Sequence, residues 1–228
     1  MTGNGDSHID ALDSLQGVSV EQLRCCCIDA EHRCLVAVPQ EQHAKEWAGT
    51  SKELWIDMEA SHPDEFRAFL EKLGLHPLIL EDCLDPSRSS RFSSYDTSLH
   101  FEVPVLSDEA FDHYLSVICL PRLLVTIRTT NVPEIDSLFR FDQHVPPTAG
   151  SKPALLYAIL DALTDRLVRA AGDARLEIRR MSRFMDEDSD AVTIEEIVSV
   201  KRKVQDLSTI AEDQLFCIGS LIPVDTDA

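Results

Sequence analysis

The sequence predicts a mixed α/β domain followed by a long helical hairpin, and two observations lead to this fold class. Up to residue 150, short apolar segments typical of strands alternate with short segments of helical spacing. Beyond a linker rich in proline, residues 145–150, apolar residues recur every three or four positions over two long stretches. We therefore divide the chain into a leader at 1–20, an α/β domain at 21–150 and a hairpin at 151–228 that packs on the domain.

The size and composition of the chain are those of a protein with a real hydrophobic core. Its 228 residues, of which 44% are hydrophobic, suffice for one good-sized domain with an appendage or for two small domains. There is no run of about 18 apolar residues, so no segment is expected to cross a bilayer as a helix. The polar, acidic N-terminus lacks the regions of a signal peptide and is expected to be a disordered leader.

The charge of the chain argues against one class of partner. Forty acidic residues against 21 basic ones give a formal net charge of −19, which would repel a phosphate backbone, so no nucleic-acid partner is expected. An acidic surface suits cations, and it also suits ordinary solubility.

The cysteines predict a reducing environment. There are seven, an odd number, with no CxxC pair and no secretory signal, so a disulfide framework is not expected. Three of them are consecutive, Cys25, Cys26 and Cys27. Because successive strand residues point to opposite faces, these three cannot easily converge on one metal ion, and we interpret them as small apolar residues of a strand.

The first elements follow from local composition. Apolar runs at Gln22–Asp29 and Arg33–Val38, separated by a turn, predict a pair of strands, and Glu53–Asp57 predicts a third. Helical spacing predicts a helix over His62–Gly74, which ends at its glycine. A second, short helix is expected at Leu78–Leu84, between two prolines that favour its start and its end.

Strand composition then returns before the linker. Three segments rich in β-branched and apolar residues, Ser98–Leu106, Tyr114–Leu120 and Leu123–Thr129, predict strands. The polar stretch Ser107–His113 is expected to connect the first two, and Pro133–Phe141 to form a short helix.

The hairpin is predicted from two periodic segments. The first helix runs from Pro153 to about Met185 and is followed by an acidic turn at Asp186–Asp190. A capping box of Thr193 and Glu196 predicts the start of the second helix. The apolar stripe expected on that helix consists of Ile197, Val200, Val204, Leu207, Ala211 and Ile218.

Motifs of catalysis are missing from the sequence. There is no GxSxG, no Walker loop and no HExxH, and none of the eight histidines forms an i, i+4 pair that would bind zinc. We therefore do not expect an enzyme.

Carboxylates are the candidate ligands, and those singled out are Glu81, Asp82, Asp161 and Asp165. Asp161 and Asp165 lie one helical turn apart and share a face of the first long helix. Like charges at this spacing repel unless a cation or a basic group lies between them, and Arg166 and Arg169 could serve. The pair is either a solvated surface or a site of hard oxygen ligands for Mg²⁺.

Four segments, taken together, resemble the CorA family of magnesium transporters. In chain order they are WID at 55–57, LHPLILED at 75–82, LLVTIR at 123–128 and LLYAILDALTD at 155–165. Each motif alone is weak, but their order and spacing agree with the family over roughly residues 53–220.

The resemblance implies an α/β/α sandwich with a mixed sheet, then the antiparallel helical hairpin, then a stalk helix that leads into the membrane. Family members are homopentamers whose pore carries a Gly-Met-Asn signature, and this tripeptide is absent here. The chain is thus expected to be a soluble fragment, monomeric or dimeric, of a protein at the cytoplasmic face of the inner membrane. Its only link to the membrane would be the missing C-terminal helices.

The resemblance also implies a regulatory site. In the family, divalent cations bind between the cytosolic domains of neighbouring subunits and favour the closed channel. Carried over, the ligands are Asp82 and Asp161, with Glu81 as a near neighbour. The family's R-P-K-x-E stretch survives here only as Arg91, and zinc- and cobalt-transporting relatives share the domain. The expected regulatory ion is Mg²⁺, with Co²⁺ or Zn²⁺ as alternatives. The alternatives for the function are the cytosolic domain of a zinc- or cobalt-transporting relative and a soluble interaction module without a role in transport.

Overall fold

The computed structural model describes residues 23–31, 34–37, 53–59, 67–85, 89–95, 97–107, 113–139, 150–188 and 191–221. The predicted leader at 1–20 and the linker up to residue 149 lie outside these ranges. So do the first part of the helix expected at His62–Gly74 and the interior of the connector Ser107–His113.

The strands of these ranges form one mixed sheet with its only parallel pair in the middle. They are β1 (Leu23–Asp29), β2 (Cys34–Ala37), β3 (Glu53–Glu59), β4 (Arg91–Tyr95), β5 (Ser98–Pro104), β6 (Tyr114–Leu120) and β7 (Leu123–Arg128). Their order across the sheet is β2-β1-β3-β7-β6-β5-β4. β3 and β7 are parallel, and all other neighbours in this sheet are antiparallel.

Helices cover both faces of the sheet. They are α1 (Arg67–Lys72), α2 (Pro77–Leu84), α3 (Pro133–Phe139), α4 (Lys152–Glu187) and α5 (Ile194–Leu221). Phe69, Leu70 and Ile79 of α1 and α2 join one buried apolar cluster with the sheet. Residues of α3, α4 and α5 join a second cluster with the opposite face, so the predicted α/β/α sandwich with a mixed sheet is confirmed.

The consecutive cysteines illustrate how the strand pattern divides the core. Cys25 and Cys27 pack with α1 and α2, whereas Cys26 packs on the side of the hairpin. All three side chains are buried. The interpretation of these residues as small apolar strand residues on opposite faces is confirmed.

α4 and α5 run antiparallel and are joined by contacts between their middle parts. Glu177 forms an ion pair with Lys203 at 3.0 Å, and a small apolar cluster joins Leu167 and Ala174 to Leu207 and Ile210. The hairpin predicted from helical periodicity is therefore present, and its α4 side chains reach the sheet core.

Side chains cap the start of both long helices. Ser151 accepts a hydrogen bond from the backbone N–H of Ala154 at the start of α4. The predicted capping box before α5 is confirmed. The Thr193 hydroxyl accepts from the backbone N–H of Glu196 at 3.2 Å, and the Glu196 carboxylate accepts from that of Thr193 at 2.8 Å.

The apolar stripe predicted on α5 is only partly right. Val200 and Leu207 are buried, but Ile197 and Val204 remain 41% and 40% exposed. The buried stripe is completed instead by Ile210, Gln214 and Cys217. The reason is tertiary, because the second half of α5 packs on β5 and its first half does not. Gln214 Nε2 donates to the Pro104 carbonyl and Cys217 Sγ to the Glu102 carbonyl.

Most other predicted elements are confirmed with ends shifted by a few residues. β6 has the predicted bounds, β7 ends one residue earlier, and α4 continues two residues beyond Met185 into the predicted acidic turn. The strand β4 was not predicted. Its sequence, RFSSY, is largely polar, and it forms a strand because it pairs with β5 at the edge of the sheet.

Candidate functional site

Asp82 lies on α2 and is held by the neighbouring strand β4. Its Oδ1 accepts from Arg91 Nη1 at 3.0 Å and its Oδ2 accepts from Ser93 Oγ at 3.1 Å. Arg91 also pairs with Asp85 at 2.5 Å, and this hydrogen bond is the largest cause of its raised pKa. Both oxygens of the first predicted ligand are therefore engaged within its own chain.

A carboxylate held in this way can still accept further hydrogen bonds. Each carboxylate oxygen has two lone pairs, and the Asp82 side chain is one-quarter exposed. Glu81, the neighbour predicted with it, is exposed. Both line an open depression beside α2, together with Asp85 and Arg91. Acidic and basic side chains are mixed in its lining, so a cation there would bind through water or would compete with Arg91 for Asp82.

Asp161 and Asp165 lie in a different setting, on the exposed side of α4. Neither carboxylate has a hydrogen bond or an ion pair with any residue that the structure describes. Arg166, one of the two arginines expected to be able to neutralise them, pairs through Nη1 with Glu134 of α3 at 3.2 Å. Glu134 therefore forms an ion pair with one of the two arginines that lie near Asp161 and Asp165 in the sequence.

The two predicted ligands lie on opposite sides of the sheet. α2, which carries Asp82, packs in the first apolar cluster, whereas α4, which carries Asp161, packs in the second. Within the described ranges, no three side chains of His, Cys, Asp or Glu come together in a way that could hold a metal ion. One chain therefore does not bring Asp82 and Asp161 together, and a shared ion would need two copies.

A buried cluster of charges at the centre of the sheet was missed by the sequence reasoning. Asp57, 1% exposed, accepts from Arg24 Nη2 at 2.6 Å and from Arg128 Nε at 3.2 Å through Oδ2. Its Oδ1 accepts from the Thr126 hydroxyl at 2.7 Å, and that hydroxyl accepts from Trp55 Nε1 at 3.1 Å. The three strands β1, β3 and β7 are thus joined by side chains as well as by their backbones.

The same cluster fixes α3 against the sheet. Asp136 Oδ1 accepts from Arg24 at 2.8 Å and from Arg128 at 3.2 Å. Burial alone would lower the pKa of Arg24, but Asp57 and Asp136 together raise it above its ordinary value. The arginine also lies over the ring of Phe139, 4.3 Å from the centroid. One signal was in the sequence, since Asp57 is a charged residue inside an apolar strand, but its partners come from two other strands, β1 and β7.

The buried cysteines are unsuited to binding a soft metal. Burial raises the pKa of Cys25 and Cys26 well above the usual value, and neighbouring thiols raise it further. The raised pKa keeps these thiols protonated, whereas a thiol binds a metal ion as the thiolate. They therefore act as small apolar side chains.

No helix in the part of the chain covered by the structure combines the length and the apolar composition needed to cross a bilayer.

Comparisons with known proteins agree with this architecture. The family described as CorA-like Mg²⁺ transporter protein matches residues 51–223. The full-length CmaX protein has a similar structure, with a TM-score of 0.76 and 16% sequence identity over 90% of this chain and 65% of that chain. The ZntB cytoplasmic domain from Vibrio parahaemolyticus RIMD 2210633 gives a TM-score of 0.69 and 14% identity over 90% of this chain and 81% of that chain.

These structural likenesses show the fold, and this chain spans 65% of the length of the full-length CmaX protein. A search of curated protein sequences finds no significant match. The family match covers well over half of the chain and includes the four motif segments at 55–57, 75–82, 123–128 and 155–165. The chain therefore belongs to the CorA-like Mg²⁺ transporter protein family.

Proposed function

We propose that this chain is the cytosolic, cation-sensing domain of a CorA-like divalent-cation transporter. In the assembled homopentamer, Mg²⁺ at the interfaces between neighbouring domains favours the closed state of the pore. The family match supports the role in transport, and the assignment of the sensor rests on the exposed carboxylates of Asp161 and Asp165, which have no partner among the described residues. The chain's part in this function is regulation rather than catalysis.

The placement of the ligands supports a site between copies. Asp161 faces solvent on α4, whereas Asp82 lies at the depression beside α2 on the other side of the sheet. A ring of identical chains would bring the α4 side of one copy to the α2 side of the next, which is the way a heterologous interface closes. Ligands that one chain separates would then meet across the interface.

The chemistry of these ligands favours Mg²⁺ over the alternatives Zn²⁺ and Co²⁺. Carboxylate oxygens are hard ligands, and Mg²⁺ binds through one or two of them while it keeps several waters. Zn²⁺ and similar ions favour imidazole and thiolate ligands, and the thiols of Cys25, Cys26 and Cys27 are buried away from Asp161 in the strand β1. Asp161 and Asp165 suit a hydrated ion directly, and Asp82 suits one through its remaining lone pairs.

The effect on the pore follows from charge repulsion. In a chain of net charge −19, copies that approach through acidic surfaces repel each other. A bound divalent cation offsets this repulsion only where the ligands of two copies meet, so it favours the packed arrangement by its difference in affinity for the two states. When the cation is lost, the carboxylates repel again and the interface loosens.

The first test is thermal unfolding of the chain over a series of Mg²⁺ concentrations, matched in ionic strength with NaCl. Binding to the native state raises the free energy of unfolding, by about 2.7 kcal/mol at 100 times the dissociation constant, and so raises the midpoint temperature. We expect the rise to be lost in Asp161→Asn/Asp165→Asn. The matched control is Asp173→Asn, which removes another exposed acid of α4 and should keep the rise. At chain concentrations at which copies associate, a midpoint that follows ionic strength alone would contradict the proposal.

Removal of Arg91 is expected to strengthen cation binding while it weakens the fold. Arg91→Ala frees Asp82 and Asp85 from their ion pairs, so both carboxylates become available at the depression beside α2. We expect tighter Mg²⁺ binding by isothermal titration calorimetry and a loss of roughly 1 kcal/mol in the free energy of unfolding, since the pairs are part-buried. Arg122→Ala is a control outside the depression. Unchanged affinity in Arg91→Ala would remove Asp82 from the ligand set.

A further inference from the structure

We propose that Glu102 of β5 is a positioning residue for the candidate ligand Asp82, because the two carboxylates share the guanidinium group of Arg91. The more strongly Glu102 attracts Arg91, the weaker is the hold of Arg91 on Asp82, and the more available Asp82 is to a cation. This inference rests on the proposed function, in which Asp82 binds the cation. It adds to that site a residue that does not line the depression beside α2.

The register of the sheet places Glu102 directly beside Arg91. β4 and β5 are antiparallel, and Arg91 and Glu102 lie opposite each other in this pair. Residues in such positions have Cβ atoms about 4.5–5.5 Å apart, so their side chains interact. Phe101 and Val103, the neighbours of Glu102 along β5, pack in the apolar cluster on the hairpin side. The side chain of Glu102 therefore points to the other face of the sheet, which is the face that α2 covers.

Burial makes a charged neighbour important for Glu102. Its exposed fraction is 0%, and a carboxylate in such a position is costly unless a positive group faces it. β6 places Ser116, a neutral residue, opposite Glu102 on the side away from β4. Of the two residues that the sheet pairs with Glu102, Arg91 is therefore the one that carries a charge.

Arg91 lies between the buried Glu102 and the depression. Its Nε donates to Ser89 Oγ at 3.1 Å, its Nη1 to Asp82 Oδ1 at 3.0 Å and its Nη2 to Asp85 Oδ2 at 2.5 Å. The hydrogen bond to Asp85 is the largest cause of the raised pKa of Arg91. Among the negative charges that raise this pKa further, Glu102 comes after Asp85 and before Asp82. One guanidinium group thus serves three carboxylates, and a stronger hold on one weakens the hold on the others.

A divalent cation at Asp82 changes this balance. Mg²⁺ and the guanidinium group are both positive, so they repel each other when they share one carboxylate. Glu102 offers Arg91 a second negative group on the side away from the cation, and the arginine changes acceptors by changing rotamers while its backbone stays in β4. The buried carboxylate thereby lowers the free energy needed to release Asp82. A neutral glutamine at position 102 would offer less, so Arg91 would stay on Asp82.

The test is a double-mutant cycle measured by calorimetric titration with MgCl₂, at chain concentrations at which copies associate. Glu102→Gln should weaken Mg²⁺ binding roughly 5-fold, and it should have no further effect once Arg91→Ala has removed the shared group. The matched control is Glu177→Gln, which makes the same chemical change in the exposed ion pair with Lys203 and should bind Mg²⁺ as the parent does. Unchanged affinity in Glu102→Gln would overturn the inference. So would an equal loss in the Arg91→Ala background, since Glu102 would then act through its charge alone.

Thermal unfolding of the same proteins in EDTA separates this inference from the proposed function. Glu102→Gln should lower the midpoint temperature of the parent. It should raise that of Arg91→Ala, where the guanidinium group that faces the buried carboxylate is gone. Equal shifts in both backgrounds would overturn the inference, whether or not Mg²⁺ binds. Opposite shifts, with no Mg²⁺ binding by any of these proteins, would support the sharing of Arg91 and would contradict the proposed function, since Asp82 would not be a ligand.

Discussion

Asp57→Asn is expected to lower the free energy of unfolding by about 3–5 kcal/mol, the largest loss that we expect from one polar substitution. The carboxylate is 1% exposed and lies between the guanidinium groups of Arg24 and Arg128, the latter 4% exposed. Asparagine keeps the shape but not the charge, so the buried Arg128 and the part-buried Arg24 would share the remaining carboxylates. A buried charge without its partner is far more costly than an exposed one.

Urea unfolding followed by circular dichroism measures this loss. Asp161→Asn makes the same chemical change at an exposed position without partners in the described chain, and it should stay within about 0.5 kcal/mol of the parent. An equally small loss for Asp57→Asn would show that Asp136 and Glu59 are sufficient ion-pair partners for Arg24 and Arg128. The cluster would then be a set of independent ion pairs rather than one unit.

Trp55→Ala is expected to cost a similar amount, about 3–5 kcal/mol, for a different reason. The indole is fully buried on the hairpin side of β3, and its ring lies 4.0 Å from that of Phe139, centroid to centroid. Alanine would leave a cavity between the sheet and α3, and it would also remove the hydrogen bond from Nε1 to the Thr126 hydroxyl. Loss of packing dominates, since a single buried hydrogen bond contributes only about 1 kcal/mol.

Trp55→Phe separates these two contributions. It keeps an aromatic ring at the site and removes the N–H donor, so the loss should fall to roughly 1–2 kcal/mol. Guanidinium chloride midpoints, with the slope checked for constancy, give the comparison. If the two variants lost equal stability, the hydrogen bond to Thr126 rather than ring packing would be what Trp55 contributes.

The buried cluster also matters for the proposed sensor, although none of its residues is a proposed ligand. Asp57, Arg24 and Arg128 hold α3 through Asp136, and α3 holds α4 through the pair of Glu134 and Arg166. This chain of contacts ends beside Asp165. The sheet core thus sets the position of the α4 surface that carries the candidate cation ligands Asp161 and Asp165.

Prediction from sequence succeeded where a pattern is local. The helix periodicity of α4 and the capping box of Thr193 and Glu196 are read within a few residues of each other, and both are confirmed. The prediction failed for β4 and for the stripe of α5, because the pairing partner and the packing surface come from distant segments. Neither is visible in the local order of residues.

The residues of the candidate site were likewise predictable only in part. The sequence singled out Glu81, Asp82, Asp161 and Asp165 as candidate ligands, and whether they bind a cation stays a prediction. Their partners were not predictable. Arg91 is nine residues from Asp82, and Glu134 is 32 residues from Arg166, and in both cases the fold brings the charges together.

Apart from β4, the kinds of elements and their order could be predicted from the residues alone, because apolar periodicity and capping act over one or two turns of chain. The family was predicted in the same way, from four motif segments that all lie within the matched residues 51–223. Only the tertiary structure decided that Asp82 is held by Arg91 while Asp161 is exposed, and that the two lie on opposite sides of the sheet. The physical reason is that ion pairs and burial depend on distances between residues far apart in sequence, which are set when the sheet and its two helix layers pack.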